Sequence, residues 1–416
     1  MKSLQKIILV IMLFGIMGFF YGCDNTGEEP DAFTVSFVDY DGTLLKEIVC
    51  NAGEACIITP PQDPNNKENS YFTRWSVWES EYDEINSDTT IKAIYTLDNR
   101  VVTIFGRSIV FYSFFIMTGI VVALFLALRE IKRHGLKQDD FIDGFLWIVP
   151  IAILGSRLWY VAFEWDSFAG GGFGPTILRI LGFSSGTFDF STFGLSGLAI
   201  HGAFFMALIC VFIYTKIRKF DFWVFLDVMA IGFIIAQAFG RWGNFFNQEA
   251  HGYLVGGMTN GVANLTLEEQ YNHLRHVIHL PEFIVNNMYI KAGLHGFDVD
   301  PLTGFYHPTF FYESMINLVG FAIMLVLRRI RKIHIGEIFG FYLVWYGGLR
   351  IFIETMRTDP LTFELFGITF KSAIVTSTLM ILGGILVSVF LRIKRKGKDY
   401  GTIPGFFRKG DLNVEN

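Results

Sequence analysis

Residues 221–244 read DFWVFLDVMAIGFIIAQAFGRWGN. From Phe222 to Gly240 the only charged side chain is Asp227, and the run then closes on Arg241 and Asn244. A helix of about 20 such residues rises about 30 Å, the thickness of a bilayer's hydrocarbon core. A helix at a water-facing surface carries its apolar residues on one stripe. This run is apolar on nearly every face, so it needs an apolar surround.

Working outward, six further runs of similar length follow the same rule, at 108–128, 141–163, 194–215, 306–327, 336–356 and 372–391. With 222–240 they make seven spans, and the fold class expected is an α-helical integral membrane protein with seven transmembrane helices. The composition agrees. Of 416 residues, 52% are hydrophobic and 18% charged, with 45 Phe, 16 Tyr and 8 Trp, and the mean hydropathy is +0.41. Soluble domains carry about 25% charged residues. A water-soluble enzyme and a disordered chain are therefore excluded. A net charge of −5 argues against nucleic acid as a partner. Cys23, Cys50, Cys56 and Cys210 show no metal-binding spacing, so no metal or soluble cofactor is implied. The spacing of Cys50 and Cys56 does not decide whether they pair.

Loop charges set the orientation. The loops after spans one, three and five and the tail after span seven hold eighteen Lys and Arg, among them Arg129, Arg218, Arg328 and Arg392. The intervening loops hold six: Arg179, Arg241, Arg275, Lys291, Arg357 and Lys371. Basic loops stay in the cytosol, which places the C-terminus there and residues 24–100 outside the cell.

The N-terminus agrees. Lys2 and Lys6 precede an apolar core from Ile7 to Phe20, the pattern of a secretory signal. It ends at Gly22-Cys23, which resembles a lipobox, the site at which bacterial lipoproteins are lipidated and cleaved. Residues 1–23 read either as a cleaved signal with Cys23 lipidated or as an uncleaved anchor. Residues 24–100 hold a small extracytoplasmic β module and a linker, with strands expected at Phe33–Val38, Leu44–Val49, Tyr71–Val77 and Thr90–Tyr95 and a turn at Asp39–Gly42. The pattern is similar to the β-grasp-like repeats of Gram-positive surface proteins (the Listeria–Bacteroides repeat family). It implies no chemistry and leaves the partner of the module unknown. Residues 101–395 form the seven-helix domain, and 396–416 a cytoplasmic tail.

Ionisable groups inside a span are costly and rare unless they face a cavity or a partner. Here Tyr112, Arg157, His201, Arg241, Asn244, His307, Tyr312, Glu313, Arg350 and Glu354 come from six spans and fall at one level, in the outer half of the membrane. Asp227, in the inner half, is the exception and reads as a helix-packing or interfacial residue. Each group alone has a structural explanation: a lone Arg snorkels, and Arg350 with Glu354 at i,i+4 is an ordinary ion pair. Convergence at one depth favours an anionic ligand in the outer leaflet. Phospholipid phosphate fits, because a guanidinium offers it forked donors and stays charged when partly buried.

Gly240–Gly252 reads GRWGNFFNQEAHG, with Arg241, Asn244 and Gln248 on one face if the helix continues. This segment resembles the signature of the prolipoprotein diacylglyceryl transferase family. The likeness extends in order through FYSF (111–114), GSRLWYV (155–161), GLAIHG (197–202), YHPTFFYES (306–314) and YGGLRIFIETMR (346–357), and covers residues 100–395. His201-Gly202-Ala203 departs from the family's His-Gly-Gly. The resemblance implies transfer of the diacylglyceryl group of phosphatidylglycerol to the lipobox Cys thiol of a prolipoprotein, the first step of bacterial lipoprotein maturation. Its partners are then phosphatidylglycerol, prolipoprotein signal peptides and the lipid bilayer. It implies His201, Arg241, Arg350 and Tyr112 as catalytic residues, and Arg241, Asn244, Asn247, Glu249, Gly252 and Glu354 as the phosphatidylglycerol site. His201 is either the base or an orienting residue, or hydrogen-bonds the headgroup or backbone alone. Glu249 and Glu354 are expected to orient the arginines. A transporter would place its ionisable groups near the midplane, along a path to both faces. An adhesin led by the β module would need one or two spans and no buried arginines.

Overall fold

The computed structural model describes residues 32–51, 56–65, 67, 69–104, 107–188, 199–358, 362–365, 368–394 and 398–406. The signal segment and Cys23 lie outside the described residues. The chain divides into two compact units, one ending at Tyr95 and the other beginning at Thr96.

The first unit is a mixed sheet of β1 (Ala32–Val38), β2 (Leu44–Asn51), β3 (Phe72–Trp75) and β4 (Thr89–Tyr95), in the order β2-β1-β4-β3. β1 runs antiparallel to β2 and parallel to β4, and β3 runs antiparallel to β4. Period-two alternation turns Val35 and Phe37 inward, where they join Phe72, Trp75, Tyr82 and Ile91. The Phe37 and Trp75 rings meet edge-on at 5.1 Å. The turn after β1 closes through Asp39 N–H to Thr43 C=O (2.8 Å). All four expected strands are present to within a few residues. Cys50 and Cys56 form a disulfide.

The second unit opens with a hairpin, β5 (Arg100–Ile104) and β6 (Arg107–Val110), paired with Val102 opposite Ile109. The first span was expected from residue 108. The helix starts instead at Phe111, because the β-branched residues before it pair as strands. Eight helices of nine or more residues follow among the described residues: α1 (Phe111–Arg133), α2 (Gln138–Phe163), α3 (Phe173–Leu181), α4 (Ile200–Ile217), α5 (Phe222–Phe246), α6 (Thr309–Leu327), α7 (Glu337–Glu354) and α8 (Ser372–Lys394). Five of them (α1, α2, α5, α6 and α8) are long and apolar enough to cross a membrane. α4 contains the shorter apolar stretch Gly202–Ile217, and α7 carries Glu337, Arg350 and Glu354.

α5 is the hub. α1, α6 and α7 pack on it, α8 packs on α7, and α2 pairs with α4. Most of α5 between Val224 and Ala238 is buried, and its exposed positions such as Phe233 are apolar as well, as the sequence pattern requires of a helix with an apolar surround.

The helical unit has two chemically different ends. At one, loop cations are matched by acids. Arg328 and Arg329 pair with Glu130 (3.2 and 2.7 Å), Arg218 with Asp140 and Asp143 (3.2 and 2.7 Å), and Arg392 with Glu337. Asp227 belongs here and is structural. Its carboxylate accepts from the N–H groups of Gly336 (2.6 Å) and Phe339 (2.8 Å), capping α7, and from the Tyr400 hydroxyl (2.8 Å). Residues 398–406 return to this end, where Tyr400 and Phe406 are buried in the helical core. The tail is therefore part of the fold as far as Phe406.

Candidate active site

The opposite end gathers the sequence motifs. α5 runs six residues beyond the expected Gly240, so Arg241 and Asn244 sit in its last two turns, three residues apart on one face. The helix stops at Phe246. Gln248 then takes a left-handed conformation (φ 55°), and its side chain turns inward to donate to the carbonyls of Asn287 (2.8 Å) and Tyr289 (3.0 Å). The expected shared face of Arg241, Asn244 and Gln248 thus holds for the first two only. Gln248 anchors the loop.

Arg241 is forked between Glu313 and Asn244, with the Tyr346 side chain as a further contact. Nη2 pairs with Glu313 Oε1 at 2.8 Å, and Nη1 donates to Asn244 Oδ1 at 3.1 Å. Asn244 Nδ2 donates to Glu249 Oε1 (2.9 Å), which also accepts from Asn247 Nδ2 (3.2 Å). The relay Glu313–Arg241–Asn244–Glu249–Asn247 fixes every amide by its neighbour. Glu249 was expected on an arginine. It sits on two amides instead, because the turn after Phe246 carries it back over Asn244.

The arginine's acid is Glu313, from the first turns of α6, a residue that sequence reading placed at this level without assigning it a role. Arg350 approaches the other oxygen of Glu313 (4.0 Å) and pairs with Glu354 (2.9 Å) one turn along α7, the i,i+4 contact that was expected. Tyr346, one turn before Arg350, lies beside Arg241, Glu313 and Arg350. Glu313 and Glu354 are 2% and 1% exposed at their side chains, whereas Arg241 and Arg350 keep 20% and 18%. The negative charges are thus sunk behind the guanidinium groups, whose remaining surface is open to a ligand. Glu313 Oε1, the Glu354 oxygens and Arg350 Nη1 have no aligned hydrogen-bond partner among the described residues. Buried polar atoms in this condition are uncommon and need a reason.

The other motifs close round this pair. Gly252 N–H donates to His307 C=O (2.8 Å), and Gly252 bridges Arg357. A side chain at Gly252 would put its Cβ 2.9 Å from that of His307, so the close approach requires glycine. His307 precedes α6, and its Nδ1 lies 3.3 Å from the Tyr312 hydroxyl. Tyr112, in the first turn of α1, packs over Gly243, between Arg241 and Asn244.

Two expected members stand differently. Arg157 donates to the carbonyls of Ile180 (3.0 Å) and Arg179 (2.7 Å) and stacks on Phe168. It holds the C-terminal end of α3, where carbonyls lack helical partners, and these contacts take it out of the arginine cluster. His201 lies in the first turn of α4, adjacent to the Ala199 N–H that donates to Ser156 C=O (3.2 Å). Its side chain lies outside the described residues.

Residues 99–390 match the family model of prolipoprotein diacylglyceryl transferase. The phosphatidylglycerol–prolipoprotein diacylglyceryl transferase of Listeria innocua is 36% identical over 301 residues, which cover 72% of this chain and 92% of that protein. Proteins of the same name from Halalkalibacterium halodurans (35%, covering 72% and 89%) and Streptococcus sanguinis (37%, covering 69% and 93%) match similarly. The chain belongs to the prolipoprotein diacylglyceryl transferase family.

Proposed function

We propose that the chain transfers the diacylglyceryl group of phosphatidylglycerol to the lipobox cysteine of prolipoproteins. The observation that supports this site is the arginine pair: two guanidinium groups from different helices share one buried carboxylate and keep their outer surfaces free, at the end away from the matched loop cations. Family membership supplies the reaction. The cysteine sulfur attacks the glycerol carbon that carries the phosphate ester, a C–S bond forms, and the C–O bond breaks with its electron pair on oxygen. Glycerol phosphate leaves, and the thiol proton passes to a base.

Negative charge grows on the phosphate side, and Arg241 and Arg350 are the groups to receive it. Losing one such donor typically costs about 2.7–4 kcal/mol of barrier. Asn244, held by Glu249 and Arg241, hydrogen-bonds the glycerol or the phosphate. Glu313 and Glu354 orient the arginines. The attacking species is the thiolate, formed from a thiol of pKa about 8.5, so a base is needed, and His201 is the candidate. Tyr112 and Gly252 shape the site wall.

In this reading α4 and α7 span the membrane with the other five, the first unit lies outside the cell, and the C-terminus is cytosolic. The chain is itself lipidated at Cys23, which mass spectrometry of the mature N-terminus tests; an intact Met1 start overturns it. The function is tested with purified protein, phosphatidylglycerol and a lipobox peptide. The wild type adds a diacylglyceryl mass, and Arg241→Ala, Arg350→Ala and His201→Ala do not. Transfer at the wild-type rate by Arg241→Ala overturns the assignment.

A further inference from the structure

Beyond Gly252, one cluster takes no part in the site described. His251, from the loop after α5, and Asp300 are buried, and His295 lies exposed on the loop between them and solvent. Asp300 Oδ1 is 2.7 Å from His251 Nε2, and Asp300 Oδ2 is 2.9 Å from His295 Nδ1 and accepts the His295 N–H at 2.6 Å. The ligand-type atoms of all three residues fall within 4.8 Å of one another.

The contact between His251 and Asp300 has a specific defect. His251 Nδ1 lies 3.0 Å from Gly252 C=O, and a carbonyl only accepts, so Nδ1 carries the ring proton. With that proton alone on the ring, Nε2 is a lone pair facing a carboxylate oxygen; a second ring proton would make the contact an ion pair. Despite their closeness, His251 Nε2 and Asp300 Oδ1 are buried with no aligned hydrogen-bond partner among the described residues. Either a proton or a metal cation satisfies both atoms, and the third ligand-type side chain, His295, favours the metal. Two imidazoles and one carboxylate are the ligand chemistry of Zn2+, and a metal-binding imidazole commonly donates its second N–H to a backbone carbonyl, as His251 does.

We propose that His251, Asp300 and His295 bind a divalent transition-metal ion of the Zn2+ type. Ligand atoms on one tetrahedral Zn2+ stand about 3.3 Å apart, so loading opens the His251–Asp300 contact from 2.7 Å and draws the wider pairs, now within 4.8 Å, together. His295 supplies the entry side. The ion would pin the 291–303 loop to the segment that carries Gly252. The three residues are scattered through the sequence and form no spacing motif, which is why composition implied no metal.

The test uses full-length protein without a histidine tag, stripped with chelator, incubated with Zn2+, desalted and assayed by plasma mass spectrometry. The expected result is about one Zn2+ per chain, falling below about a tenth in His295→Ala and Asp300→Asn. His295→Ala keeps the backbone donor to Asp300, and circular dichroism confirms that it is folded. Co2+ should give tetrahedral d–d absorption in the wild type and lose it in both variants. If the wild type retains no more Zn2+ than the variants, the proposal is overturned, and the His251–Asp300 contact is an ion pair closed by a proton.

Discussion

Replacing Arg241 by Lys separates charge from geometry. Arg241 places one nitrogen 2.8 Å from Glu313 and another 3.1 Å from Asn244. A lysine ammonium keeps the charge but is a single point, so it serves Glu313 or Asn244 and not both. The forfeited bond involves a charged group and is worth about 1.5–3 kcal/mol. If the fork is held in the transition state, transfer slows by about 10- to 150-fold in Arg241→Lys. Arg241→Ala does more: it leaves the buried Glu313 with Arg350 at 4.0 Å as its remaining cation, and breaking a buried pair costs about 3–5 kcal/mol. The assay is diacylglyceryl transfer to a lipobox peptide at saturating phosphatidylglycerol, with thermal unfolding in the same detergent. Lysine is expected to lose rate with about 1.5–3 kcal/mol of stability, and alanine to lose more of both. Transfer by Arg241→Lys at the wild-type rate would refute the fork argument, and equal losses of stability in the two variants would mark the contact as structural only.

Other consequences are as direct. Glu313→Gln removes the acid between the two arginines and should lower the unfolding free energy by about 3–5 kcal/mol together with activity, measured as above. Gly252→Ala should cost about 1–3 kcal/mol and reduce transfer, since its Cβ meets His307 at 2.9 Å and Thr309 at 3.0 Å, whereas Gly348→Ala, with nothing within 4 Å, should not. Phe406→Ala in the returning tail should destabilise by about 3–5 kcal/mol, and Tyr400→Phe by about 1–2 kcal/mol through the lost bond to Asp227, read by thermal unfolding. His134, packed between Tyr400 and Phe406, has its pKa lowered from 6.5 to about 4, chiefly by burial. The unfolded chain takes that proton first as pH falls, so stability is full above pH 6.5 and is lost toward pH 4, by at most about 3 kcal/mol. His134→Gln should flatten that slope in unfolding curves taken from pH 7 to pH 4.

Local pattern carried far. The strands of the first unit were legible because alternation is a property of neighbours, as in Val35 and Phe37. The helices were legible because unbroken apolar length is local as well. Their ends were less so: α5 overran Gly240 because Arg241 finds its partner on another helix, and the start of α1 yielded to a hairpin. Arg157 and Arg241 look alike in sequence, each one cation in an apolar run.

What the sequence alone determined was the class, the spans as candidates and the family, since six ordered motifs and apolar runs need no partner to be seen. What the tertiary structure decided was the use of each polar group. Arg157 meets carbonyls at the end of α3, Asp227 meets the N–H groups that begin α7, and Gln248 turns inward on a left-handed residue. Arg241 and Arg350, from different helices, converge on Glu313. The reason is physical: a buried charge must be compensated, and whether by backbone, by acid or by ligand depends on what the fold sets across from it.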